Sequence, residues 1–149
     1  MTTDTAAPAP LASLASLGTL FLRLVVGGVF AMHGAQKVFD FTIPGTVSSF
    51  DAMGVPLAPA VAPAIALLEL VGGALLILGV LSRIVAALLA IDMLGAIALV
   101  HAPAGFWVDA GGWEFVAVLA AASAALALTG PGRFAVGELL PRRLRRFLA

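Results

Sequence analysis

Four long apolar stretches, separated by clusters of proline, glycine and charge, dominate the pattern along the chain. From about Leu17 to Val38 the run LGTLFLRLVVGGVFAMHGAQKV is helical and apolar, broken only by Arg23 and by His33, Gln36 and Lys37 at its end. A second stretch opens near Pro59 or Pro63 and continues to Leu81, with Glu69 inside it. Proline in a first helical turn costs little, because those N–H groups have no intrahelical partner. The third stretch, about Arg83 to Ala102, carries Asp92, and the fourth runs from Trp113 to Thr129, where Gly130-Pro131-Gly132 ends it. Each is close to the roughly 20 apolar residues of a bilayer crossing. The pattern therefore predicts spans at about 17–38, 60–81, 83–102 and 113–129. The turn at Val80–Ser82 is so short that spans two and three must run antiparallel. Residues 39–58, with Pro44, Gly45, Gly54 and Pro56, are predicted as a loop holding one short interfacial turn at most, and 102–112 as a second long connection.

Composition makes a water-soluble reading untenable. Of 149 residues 62% are hydrophobic and 11% charged, with a mean hydropathy of +1.13, whereas ordinary soluble domains carry about 25% charge. The 16 charged residues are also unevenly placed, since six lie between Arg133 and Arg146 and nine are spread over positions 17–132. The expected organisation is a flexible tail over 1–16, a four-span membrane domain over 17–132 and a basic amphipathic tail over 133–149. RRLRRFLA in that tail suits anionic lipid or a docking partner. The first 16 residues contain no Lys or Arg and so lack the n-region of a secretory signal.

The fold class is thus an all-α, integral membrane four-helix antiparallel bundle, multi-pass in a plasma membrane. Five of the eight basic residues lie between Arg133 and Arg146, and Arg83 falls at the same end of the bundle. The positive-inside rule then places the N- and C-termini in the cytoplasm and both long connections outside. Spans one and three open with LRLV and SRIV, spans two and four contain ELVG and EFVA, a weak self-similarity between halves. Rows of small residues such as Gly27-Ala31-Ala35 and Ala87-Ile91-Gly95 are expected to serve helix packing.

Charge inside a span is expensive and is normally kept facing the bundle interior or a water-filled cavity. His33 and Lys37 end span one at the outer side, His101 ends span three, Glu114 opens span four, and Glu69 lies about two turns into span two. These five form the expected outer polar site. Glu69 and Glu114 are the catalytic candidates, as the two carboxylates of the set able to take up and release a proton. Arg23 and Asp92, on the inner half, are expected to pair as a buried ion pair, Asp92 lying about 180° from His101 around its helix. With no cysteine, the chain itself offers no disulfide, thiolate nucleophile or iron–sulfur ligand. No nucleic-acid-binding pattern is present either.

The order LRLVVGGVFAMHGAQKVF, PAIALLELVGGALLILGVLSR, AIALVHAPAGFWVDAGGWEF and ALALTGPGRF resembles the DoxX family of small four-helix bacterial membrane proteins, over about residues 17–136. The resemblance implies a quinone-linked oxidoreductase role, in complexes serving redox and sulfur homeostasis, with other membrane or redox subunits, or further copies of the chain, as partners. It carries over to His33, Gly34 and Lys37, to Glu69 with Gly72 and Gly73, to His101 and Glu114, and to Gly130-Pro131-Gly132. A quinone, held non-covalently, is then the expected ligand of His33, Lys37, Glu69, His101 and Glu114. The alternative is a non-catalytic scaffold, chaperone or small-molecule carrier anchoring a partner complex. Haem or metal at His33 and His101 is disfavoured because neither lies deep in a span, and no metal site is expected.

Overall fold

The structure, a computed structural model, describes residues 9–139. Helix α1 spans Ala9–Ala35, α2 Thr42–Ala52, α3 Ala58–Leu78, α4 Ser82–Ala96 and α5 Glu114–Thr129. Among the described residues there is no strand, and α1, α3, α4 and α5 form the antiparallel bundle of a helical membrane protein. The basic run beginning at Arg142 lies outside the described residues.

Three helical segments, Ser13–Asp40, Ala58–Leu78 and Ser82–Ala104, are long and apolar enough to cross a membrane. The fourth, α5, has 16 residues, about 24 Å of helix against a hydrocarbon core of about 30 Å. Short 3-10 turns at Ala102–Ala104 and Val108–Ala110 precede it, and Phe106 packs edge-on against Trp107 and Trp113 at the same end.

Two departures from the sequence reading stand out. Residues 9–16, read as tail, continue α1: Pro10 falls in the first turn, where it is tolerated, and the Ala and Leu that follow are strong helix formers. Residues 42–52, read as loop, form the 11-residue helix α2. Pro44 again sits in the first turn, and Gly54, with φ +77, ends the segment in the left-handed region that glycine occupies freely. Thr46 is buried and donates its hydroxyl to the Lys37 carbonyl at 2.8 Å, which pins α2 across the end of α1.

Packing joins α1 mainly to α3 and α4 mainly to α5. Glycine makes the first contact possible. A Cβ on Gly27 would stand 2.7 Å from the Gly73 carbonyl oxygen, and one on Gly34 would overlap the Leu70 backbone nitrogen. The second contact is side-chain packing of Val85, Leu89 and Met93 against Val116, Leu119 and Leu126. Gly95 does not take part: a Cβ there meets nothing within 4 Å, so the expected packing role of the Ala87-Ile91-Gly95 row does not extend to it.

At the short-turn end, where Gly79–Leu81 links α3 to α4, two arginines grip the exit of α5. Arg23 is 1% exposed and donates to the Pro131 and Phe134 carbonyls, both at 2.8 Å. Arg83 donates to the carbonyls of Ala127, Leu128 and Thr129 at 3.1, 2.7 and 3.4 Å. These are the orphan carbonyls of a helix C-terminus, where cations are favoured. The opposite, long-loop end is less regular. There α1 and α4 each finish in a π-helical turn, Gln36–Asp40 and Ile97–His101.

Candidate functional site

A cavity of about 510 Å³ opens at the long-loop end. Every helix contributes to it: His33 and Lys37 from the end of α1, Phe50 from α2, Glu69 from α3, Asp92 from α4 and Phe115 from α5. Apart from the ionisable groups its wall is almost entirely apolar. Ile91, Leu99 and Phe115 line it while remaining exposed on the bundle's outer belt. The cavity therefore opens sideways, toward where acyl chains lie in a bilayer.

The polar centre is an ion pair. Lys37 Nζ donates to Glu69 Oε2 at 2.5 Å, with the Glu69 side chain 4% and the Lys37 side chain 18% exposed. Glu69 is anchored by α3 where that helix lies closest to α1, while the π turn beginning at Gln36 carries Lys37 to it. Both histidines are fixed by backbone carbonyls. His33 Nδ1–H donates to Val29 O at 2.9 Å and His101 Nδ1–H to Gly111 O at 2.7 Å. A carbonyl only accepts, so the proton sits on Nδ1 in each ring and Nε2 is the atom left for a ligand. His33 also borders a smaller surface hollow with Gln36, Phe39 and Asp40.

Of the five residues expected at the outer site, four share this cavity: His33, Lys37, Glu69 and His101. Glu114 does not line it. Its Oε2 accepts the Val108 N–H at 3.0 Å and ties the connection after α4 to the start of α5. The expected Arg23–Asp92 pair is not formed either. Arg23 spends its Nη1 and Nη2 on carbonyls at the short-turn end, while Asp92 lines the cavity with Lys37 and Glu69. Helical-wheel arithmetic at about 100° per residue put Asp92 and His101 on opposite faces. The i→i+5 bonding of the π turn advances less per residue and narrows that angle, and both side chains line the cavity.

Asp92, expected in an ion pair rather than here, and the α2 wall are the cavity residues that sequence reasoning did not place. A signal for α2 was present, because Thr46, Phe50 and Met53 recur at helical spacing; Thr46 faces the end of α1 while Phe50 and Met53 line the cavity. Among the described residues no group of three or more His, Cys, Asp or Glu is placed to hold a metal ion.

A fold, a lateral cavity and a buried ion pair thus accompany motifs dispersed over most of the chain, and comparison with known proteins agrees with that distribution. The DoxX family profile matches residues 18–102. A Bacillus subtilis (strain 168) protein named "Putative oxidoreductase CatD" is 40% identical over 114 residues, covering 76% of this chain and 80% of that one. The Mycobacterium tuberculosis "Uncharacterized membrane protein Rv3486" is 37% identical over 134 residues, 82% of this chain and 80% of that one. No solved structure matches significantly. With its family profile covering more than half the sequence and relatives matched along most of their length, the chain belongs to the DoxX family of membrane proteins.

Proposed function

We propose that the protein is the quinone-binding subunit of a membrane oxidoreductase. The observation that carries this reading is the lateral cavity: about 510 Å³, apolar-walled, open toward the acyl region, with the Lys37–Glu69 pair at its polar centre. Ligand sites for small molecules run from about 300 to 1,000 Å³ and combine apolar walls with a few convergent polar groups. A lipid-dissolved ring with two opposed oxygens suits that arrangement. The oxidoreductase designation of the Bacillus relative points the same way.

When bound, a quinone supplies two-electron, two-proton carrier chemistry. The chain's own residues bind and orient it. Lys37 has two ammonium hydrogens beyond the one given to Glu69 and can donate them to a ring oxygen. With Nδ1 protonated, the Nε2 atoms of His33 and His101 are acceptors that suit a hydroxyl of the reduced ring, and α2 and α5 wall the cavity. With no cysteine in the chain, electrons are exchanged with a partner subunit. The long-loop end faces outward if the basic end follows the positive-inside rule.

The test is a titration of purified protein in lipid nanodiscs with a short-chain 1,4-naphthoquinone, read by quenching of Trp107 and Trp113. Saturable binding is expected for the parent chain. Gly95→Phe, whose ring extends into the open space beside Gly95, is expected to abolish it without loss of the folded bundle. No saturable binding, or undiminished binding by a folded Gly95→Phe protein, overturns the reading and favours a scaffold that anchors partners.

A further inference from the structure

Asp92 is the cavity residue that the fold leaves unanswered. Its Oδ2 is buried with no hydrogen-bond partner, although the side chain lines the same cavity as Lys37 and Glu69, whose charges both reach it. The other polar groups there have partners in the fold, Glu69 in Lys37, His33 Nδ1 in Val29 and His101 Nδ1 in Gly111, which leaves the two imidazole Nε2 atoms open. A carboxyl oxygen in an apolar helix needs a donor, since a buried polar atom without one is costly. Nothing among the described residues supplies it. Structural roles for Asp92 are also hard to find. It caps no helix end and pairs with no cation among the described residues, and the Gly95 notch lies one turn further along the same helix.

Resting on the quinone reading above, we infer that Asp92 is a specificity-determining residue that accepts a hydrogen bond from a hydroxyl of the ligand, so that the cavity selects the hydroquinone form over the quinone. The two forms differ in what they present to an acceptor. A hydroquinone carries two O–H donors that an Asp92 carboxylate can accept, and a quinone carries two acceptors that would face the ionised carboxylate without a proton between them. Lys37 donates at the other side, where either form presents an oxygen that accepts. The occupant is thus an amphiphile with an apolar body and a hydroxylated head, entering past Ile91 and Leu99. No electron transfer is needed for this selection, because it is a property of binding.

The experiment compares the affinities of 2,3-dimethyl-1,4-naphthoquinone and its dithionite-reduced form, measured anaerobically on the full chain in nanodiscs. The parent protein is expected to prefer the reduced form at least tenfold. Asp92→Asn, whose amide oxygen is a weaker acceptor and whose NH₂ donates, is expected to lose that preference while binding the oxidised form as well or better. Asp92→Leu is expected to raise the unfolding temperature of the ligand-free protein, because it removes an unanswered polar group. The inference is overturned if Asp92→Asn keeps the tenfold preference, or if Asp92→Leu unfolds at a lower temperature, which would mark a structural role. A parent protein that binds neither form fails the quinone reading itself, whereas one that binds both forms equally fails only the assignment of Asp92.

Discussion

Lys37 and Glu69 join two apolar helices through one short contact, and each neutralises a group that the other helix could not carry alone. Breaking a buried pair by removing one partner costs about 3–5 kcal/mol, because an uncompensated charge remains. Lys37→Met is therefore expected to lower the unfolding temperature in detergent sharply. Lys37→Met with Glu69→Leu should recover most of the loss while leaving naphthoquinone binding absent. An unchanged unfolding temperature in the single variant would show that the pair carries no structural weight. Glu69 was legible in the sequence for the reason that makes this prediction, namely that a carboxylate two turns into an apolar run requires a partner. Arg23 and Asp92 were not legible as they are. Sequence gives sign and approximate depth, but a guanidinium can be satisfied by carbonyls at a helix exit as well as by a carboxylate. Pairing by opposite sign overlooked that option.

At the level of elements, the contact between α1 and α3 depends on where side chains are missing. Gly34→Ala would force the two helices apart at Leu70, and overpacking of this kind costs about 1–3 kcal/mol. Gly28→Ala, one helical face away with open space around its Cβ, should be neutral or stabilise by about 0.5–1 kcal/mol. Thermal unfolding of the two variants side by side checks both, and equal behaviour would deny the close approach. The apolar helices themselves were plain in the sequence, since uninterrupted hydrophobic runs over this length leave few other structures. What stayed hidden was change of periodicity. Nothing in IALVH marks it as a π turn, yet that turn narrows the angle between His101 and Asp92. Likewise Pro44 and Gly45 read as loop formers, although a first helical turn accommodates both and α2 closes over the cavity.

For the molecule as a whole, the positive-inside reading of orientation is open to a direct test because the chain contains no cysteine. A single cysteine at Ser48, exposed on α2, should react with a membrane-impermeant maleimide in intact cells. One at Thr129, exposed at the opposite end, should react only after the membrane is opened. The reverse pattern would invert the topology and place the cavity on the cytoplasmic side. The arrangement of arginines has a further consequence for how the bundle yields. Arg23 belongs to the α1–α3 pair and Arg83 to the α4–α5 pair, and both hold the same stretch of chain leaving α5. The bundle is therefore built like a clothes-peg, sprung at one end and free at the other. Widening to admit a ligand should grow with distance from the arginines, so spin labels across the cavity mouth should move apart or broaden on loading while a pair near Gly79 and Gly130 keeps its spacing.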